Sequence, residues 1–151
     1  MINKQKGVTA LELLLVIAMV GVIFSIALPS FNAMRNQQLL KATTLEVSSS
    51  INKARSQTLA SVNSSEYGIH FQSDQIVIFR GQTYSSGDSN NEYITLTTPA
   101  FISDINLAGS VTDIYFNRLS GAPNTTGTIT ISVSSLSQII TISATGIVSI
   151  D

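Results

Sequence analysis

From Val8 to Leu28 the chain carries a single charged residue, Glu12, in twenty-one positions. As a helix rising ~1.5 Å per residue, this run would reach about 32 Å, and a bilayer's hydrocarbon core is about 30 Å thick. The segment is therefore long enough to span a membrane. Lys4 and Lys6 stand just before it, and the next basic residue is Arg35. Positive charge on the short leading flank favours keeping that end in the cytoplasm, which sends the rest of the chain outward. A cleaved secretory signal also begins with basic residues and an apolar core. Its core is usually only about 7–15 residues long, however, and Ala27-Leu28-Pro29 is a poor small-x-small site.

Glu12 constrains the reading further. A charge at the centre of a membrane helix costs roughly 2.5–3.5 kcal/mol, and less near an end, so such residues usually have a partner or a task. Glu12 follows Val8 by four positions and so shares its helical face. A cut after Gly7 would give Val8 a free amino group, a cation at matching depth on the same chain or on a neighbour. The alternative is a carboxylate that simply snorkels to the interface.

The stretch Lys6-Gly7-Val8-Thr9-Ala10-Leu11-Glu12-Leu13-Leu14 resembles the class III signal of type IV pilins and type II secretion pseudopilins. That resemblance implies a leader, residues 1–7, removed after Gly7 by a membrane-embedded prepilin peptidase that also N-methylates Val8. It implies too that Glu12 acts in assembly by neutralising the amino terminus of an adjacent subunit. The family's usual first residue is Phe, in a run close to Phe-Thr-Leu-Ile-Glu, and Val8 and Ala10 depart from that. Pro29 falls where many members carry a helix-kinking proline.

Length and composition narrow the function classes. The 151 residues suffice for one modest domain beyond the apolar segment. Full-length net charge is −1, and loss of Lys4 and Lys6 leaves six basic against nine acidic residues, a net −3. That balance offers no basic field for nucleic acid. The absence of cysteine excludes disulfides, thiolate metal sites and cysteine nucleophiles.

Past Pro29, whose missing N–H and ring predict a kink, the pattern changes. Leu40, Val47, Ile51, Ala54, Thr58 and Val62 recur at helical spacing, flanked by Arg35, Lys41, Glu46, Lys53 and Arg55. This predicts an amphipathic half ending near Ser61, with Asn63-Ser64-Ser65 as the break. After residue 65 the period becomes two. Tyr67–Phe71 and Gln75–Arg80 read as a hairpin across Ser73-Asp74, followed by a polar loop from Gly81 to Asn91. Further strands are expected at Tyr93–Thr97, Ile102–Leu107, Asp113–Asn117, Thr128–Val133, Gln138–Ser143 and Ile147–Ile150. The last three would form a meander, with turns at Ser134–Ser137 and Ala144–Gly146. The fold class is α+β, one long helix laid on antiparallel sheet. The divisions are 1–7 leader, 8–28 transmembrane and assembly half, 29–62 amphipathic half and 63–151 extracytoplasmic β domain.

Three later segments extend the resemblance. Ala54-Arg55-Ser56 runs into the first hairpin, Phe116-Asn117-Arg118-Leu119-Ser120-Gly121 precedes Gly127–Ile131, and Ile139–Val148 contains Ala144-Thr145-Gly146. In this order they are similar to the H-type minor pseudopilins and the related minor pilins. The resemblance implies a pilin-like fold.

Residues for catalysis are sparse. His70 is the only histidine, and one His without Cys falls short of the three or four ligands of a metal site. The carboxylates beyond the apolar run show no paired spacing. Asp88-Ser89-Asn90-Asn91-Glu92 offers oxygen ligands of the kind calcium takes, though a solvated loop is the simpler reading. No glycine-rich loop links a strand to a helix. No enzyme and no cofactor is expected.

The expected function is structural: a minor pilin or pseudopilin of a type IV pilus or type II secretion-like fibre. The partners implied by the resemblance are other pilin or pseudopilin subunits, the prepilin peptidase and an inner-membrane assembly platform, with membrane lipid around the apolar run. The place is the cytoplasmic membrane, crossed once with the N-terminus inside, and then the extracytoplasmic fibre. Two alternatives remain at this stage. A DNA-binding minor pilin for competence would need several basic contacts, and no Lys or Arg follows Arg118. A signal-anchored envelope protein that does not polymerise would tolerate replacement of Glu12.

Overall fold

The computed structural model describes residues 8–151, and residues 26–30 by backbone alone. The leader and Gly7 lie outside the described residues. Helix α1 (Ala10–Leu59) is followed by eight strands: β1 (Tyr67–Phe71), β2 (Gln75–Arg80), β3 (Glu92–Thr95), β4 (Ala100–Leu107), β5 (Asp113–Tyr115), β6 (Gly127–Val133), β7 (Leu136–Ile142) and β8 (Val148–Ile150). Two compact units result, Met1–Arg35 and Asn36–Asp151.

In the first unit the described part of α1 carries its apolar side chains uncovered, Leu11, Leu14 and Ile17 among them. Among the described residues no helix is long and apolar enough to cross a membrane. The expected span Val8–Leu28 runs into residues whose side chains are outside the description, and so does the expected kink at Pro29.

In the second unit α1 has neither glycine nor proline from Asn36 to Leu59, so nothing in its covalent structure interrupts the hydrogen-bond ladder. Its stripe is the one expected: Leu40, Val47, Ile51, Ala54 and Thr58 are buried. Val62 is the exception. The helix stops at Leu59, Ser61 turns left-handed with φ 51°, and Val62 is left exposed in a short 3-10 turn. The buried face also takes in Thr44 and Ser50. Their hydroxyls donate to the carbonyls of Leu40 and Glu46, both at 2.8 Å, which removes the penalty of an unpaired buried hydroxyl. Thr58 does the same to Ala54 at 2.9 Å and accepts the N–H of Tyr67 at 2.9 Å, fastening the start of β1 to the helix.

The strands divide into two antiparallel sheets, β3-β2-β1-β5 and β4-β6-β7-β8. β1 and β2 form the expected hairpin, with Ile69 opposite Ile78. β5 then pairs with the far edge of β1, Ile114 opposite Ile69. In the second sheet β6, β7 and β8 are the expected meander, with Ile129 opposite Ile140 and Ile142 opposite Val148. The β6–β7 turn is tighter than expected. Leu136 and Ser137 belong to β7, and Ser134, at φ 57°, makes the reversal with Ser135. β5 ends at Tyr115, and Phe116 continues only as an isolated bridge to Pro123.

Alternate residues of both sheets point to one core. Ile69, Phe71, Ile76, Ile114, Ile129, Ile131 and Ile140 join Val47 and Ile51 of α1 in a single buried cluster. Burying an Ile or Val side chain stabilises by roughly 1.5–3 kcal/mol, so this cluster is what holds the amphipathic half of α1 to the sheets. The fold is α+β, a helix packed on antiparallel sheets. Lys53 of α1 also reaches Glu92 of β3 at 2.6 Å, an exposed pair worth no more than about 1 kcal/mol.

Candidate functional site

Two places carry the residues that the sequence singles out. The first is the start of α1. Thr9 caps the helix: its Oγ1 accepts the N–H of Glu12 at 3.2 Å, and its carbonyl accepts the N–H of Leu13 at 3.1 Å. Thr9-Ala10-Leu11-Glu12 is thus half of a capping box, with the acidic residue three positions after the cap. A carboxylate in the first turn is also favoured by the helix dipole. Glu12 therefore has a local reason to stand here beside any role toward a neighbouring chain. The Thr-x-x-Glu spacing was the signal for this cap, and the sequence reading passed over it. Val8 is exposed ahead of the cap, while Gly7 and the Pro29 side chain lie outside the described residues.

The second place is the end of α1, where the three later segments of the resemblance meet. Arg55 looked like one of the polar flanks of the helix. It is half-buried, and its Nε donates to the carbonyl of Gly121 at 2.9 Å while Nη2 reaches that of Thr145 at 3.3 Å. One guanidinium thus holds the helix, the loop after β5 and the β7–β8 turn together. The loops come so close that a Cβ on Gly146 would collide with the Gly121 carbonyl and lie 2.7 Å from Arg55 Nε. Gly121 and Gly146 also adopt φ of 66° and 77°, the left-handed region that glycine enters without strain. Arg118, in the same loop, donates to the carbonyl of Ser64 at 3.0 Å.

His70 stands on the outer face of the first sheet. Its Nδ1 pairs with Asp113, opposite it on β5, and its Nε2 lies 3.0 Å from Gln72 Nε2. Tyr84, from the loop between β2 and β3, stacks flat on the imidazole at 3.9 Å between ring centres and meets Phe79 edge-on at 5.9 Å. The Tyr84 phenol is held above its ordinary range by loss of solvent and by the neighbouring Tyr93. Val77 and Phe79 are fully buried yet stand apart from the main core. Tyr84 of the Gly81–Asn91 loop packs against Phe79, and the loop is held further by Tyr93 Oη donating to the Ser86 carbonyl at 2.9 Å. The cluster fastens a loop to a sheet. Among the described residues the hydrogen-bond partners of the two imidazole nitrogens are Asp113 and Gln72.

The carboxylates do not converge. Asp88 accepts the backbone N–H of Asn90 at 2.8 Å, which holds its carboxyl below the usual range, and Glu92 faces Lys53. Among the described residues there is no group of three metal-ligating side chains.

The architecture is one long helix, apolar and uncovered over its first described part and amphipathic where it packs on two antiparallel sheets. The family model for type II transport protein GspH matches residues 43–146, and the chain belongs to this family, the minor pseudopilins of type II secretion. No curated protein and no solved structure matches the chain. The matched residues begin inside α1, so they owe nothing to the Gly7–Glu12 motif.

Proposed function

We propose that this chain is a minor subunit of a type II secretion pseudopilus, made as a precursor and matured by prepilin peptidase. Cleavage after Gly7 frees the amino group of Val8, which the same enzyme methylates. Residues 8–28 hold the subunit in the cytoplasmic membrane with its N-terminus inside. The assembly platform then draws it into the fibre, where 29–62 and the extracytoplasmic 63–151 form the outer part.

The observation that carries this reading is the pairing of two independent features. The family match covers 43–146, and the chain ahead of it holds an apolar run, Val8–Leu28, with Glu12 as its only charge, whose described apolar side chains are uncovered. Such a helix exchanges lipid contacts for contacts with other subunits at little cost. Glu12 fixes the axial register, because a slipped subunit leaves a carboxylate unpaired in apolar surroundings.

The test is a Glu12→Leu variant compared with wild type in the host. The variant should mature to the same Val8 N-terminus and stay in the membrane, yet be missing from sheared or purified fibres. Incorporation at the wild-type level would exclude the register role.

A further inference from the structure

Beyond Leu59 the chain makes a turn that two arginines hold from opposite sides. Ser61, Asn63 and Ser64 take left-handed φ of 51°, 50° and 53°, a conformation that residues other than glycine keep only where their surroundings impose it. Arg80 ends β2 and Arg118 follows β5, and these two strands lie on either side of β1. From there Arg80 Nη2 donates to the Asn63 carbonyl and Arg118 Nη1 to that of Ser64, both at 3.0 Å. Two positive charges are thus brought to neighbouring carbonyls.

Neither charge is neutralised at contact distance. Among the described residues the ion pairs are Lys53–Glu92 and His70–Asp113, and Asp88 feels Arg80 only from beyond that range. Arg80 Nε also donates to Ser65 Oγ at 2.7 Å. A guanidinium carries more N–H donors than these bonds occupy, so both arginines keep donors for an incoming acceptor.

Leu119 stands next to Arg118 and is 98% exposed. Its loop is fastened by Arg55 on the Gly121 carbonyl and by the N–H of Gly121 on the carbonyl of Asn117 at 2.8 Å. Leu59, exposed as well, borders this loop at Gly121. Among the described residues the N–H groups of Leu119 and Ser120 donate no hydrogen bond. A single exposed leucine is ordinary; one on a fastened loop, beside free main-chain donors and two unpaired guanidiniums, makes a surface of mixed and definite chemistry.

We propose that this surface docks an acidic segment of another protein chain, with carboxylates of the segment on Arg118 and Arg80 and one of its apolar side chains on Leu119. The flat fork of a guanidinium matches a carboxylate, and arginine is enriched at protein interfaces. An extended polyanion or an anionic bilayer fits less well, because the chain is net negative with or without its leader. A free phosphate would leave Leu119 uncovered. The proposal goes beyond the pseudopilus reading and does not depend on it, since every residue of the surface lies in the second unit.

The test titrates a synthetic peptide, acetyl-Glu-Leu-Glu-Leu-Glu-amide, into the full-length protein in neutral detergent micelles and follows backbone amides by NMR. The signals of Ser64, Arg118 and Leu119 should shift to saturation, with those of Ile129–Ile131 unmoved, and added salt should weaken the binding. A peptide with glutamine in place of glutamate should bind about tenfold more weakly or worse, as should the Arg118→Gln variant, with Arg118→Lys in between. Leu119→Ser, at a position too exposed to disturb the fold, should also lose about tenfold. Four results would each overturn the proposal. These are equal binding of the glutamine peptide, full affinity in Leu119→Ser, tighter binding of inorganic phosphate or of phosphatidylglycerol added to the micelles, and no shift at these amides with millimolar peptide.

Discussion

Arg55 Nε donates to the carbonyl of Gly121 across 66 positions of sequence, at 2.9 Å. This one bond ties the last turns of the helix to the loop after β5, and the same guanidinium reaches the β7–β8 turn at Thr145. Two sheets that share no strand are thus joined at the end of α1 by one side chain.

Replacing Arg55 with alanine should lower stability by about 1.5–3 kcal/mol, the range for a hydrogen bond to a charged group. Lysine should recover only part of the loss, because its single ammonium lacks the guanidinium's fixed fork. Urea unfolding of the wild type and the two variants checks both expectations.

The core around Ile51 should respond more strongly. Ile51 is fully buried between helix and sheets, and Ile51→Ala should cost about 2–5 kcal/mol. The same substitution at Leu45, exposed on the opposite side of α1, should change stability by less than about 0.5 kcal/mol. Paired denaturation curves distinguish the two positions.

Tyr84 covers Phe79 and stacks on His70. Tyr84→Ala should remove both aromatic contacts, each worth about 0.5–1.5 kcal/mol, and release the Gly81–Asn91 loop. Hydrogen exchange should quicken across that loop and at β2, with protection of Ile129–Ile131 in the other sheet unchanged.

The Asp88 carboxyl is held below its ordinary range by the N–H of Asn90. A depressed folded-state pKa contributes stability above the unfolded value and loses it as pH falls through the folded one. The Asp88–Asn90 turn should therefore stay intact at neutral pH and loosen below about pH 4, the ordinary carboxylate range. The Asn90 amide shift in a pH titration by NMR should report this, and Asp88→Asn should abolish the titration.

Much of the fold was legible because its elements have simple periods. The Leu40–Thr58 stripe and the β-branched alternation from Tyr67 onward each follow from one backbone geometry, and both are observed. Val62 failed because Ser61 and Asn63 turn left-handed before the pattern completes. The division into two sheets was not legible, since the β1–β5 pairing joins segments more than forty residues apart. Nor was the role of Arg55. Its acceptors are main-chain carbonyls, which leave no side-chain signature, and only the glycines at 121 and 146 mark the close approach. His70 lacked a visible partner because Asp113 meets it only through strand register.

Maturation at Gly7 into a fibre subunit is open to a direct check, intact and N-terminal mass analysis of the protein from its host membranes. The chain should begin at Val8, carry a methyl group on its amino terminus, and be lost in this form from a Gly7→Ala variant. A chain retaining Met1, or one cut near Ala27, would contradict it.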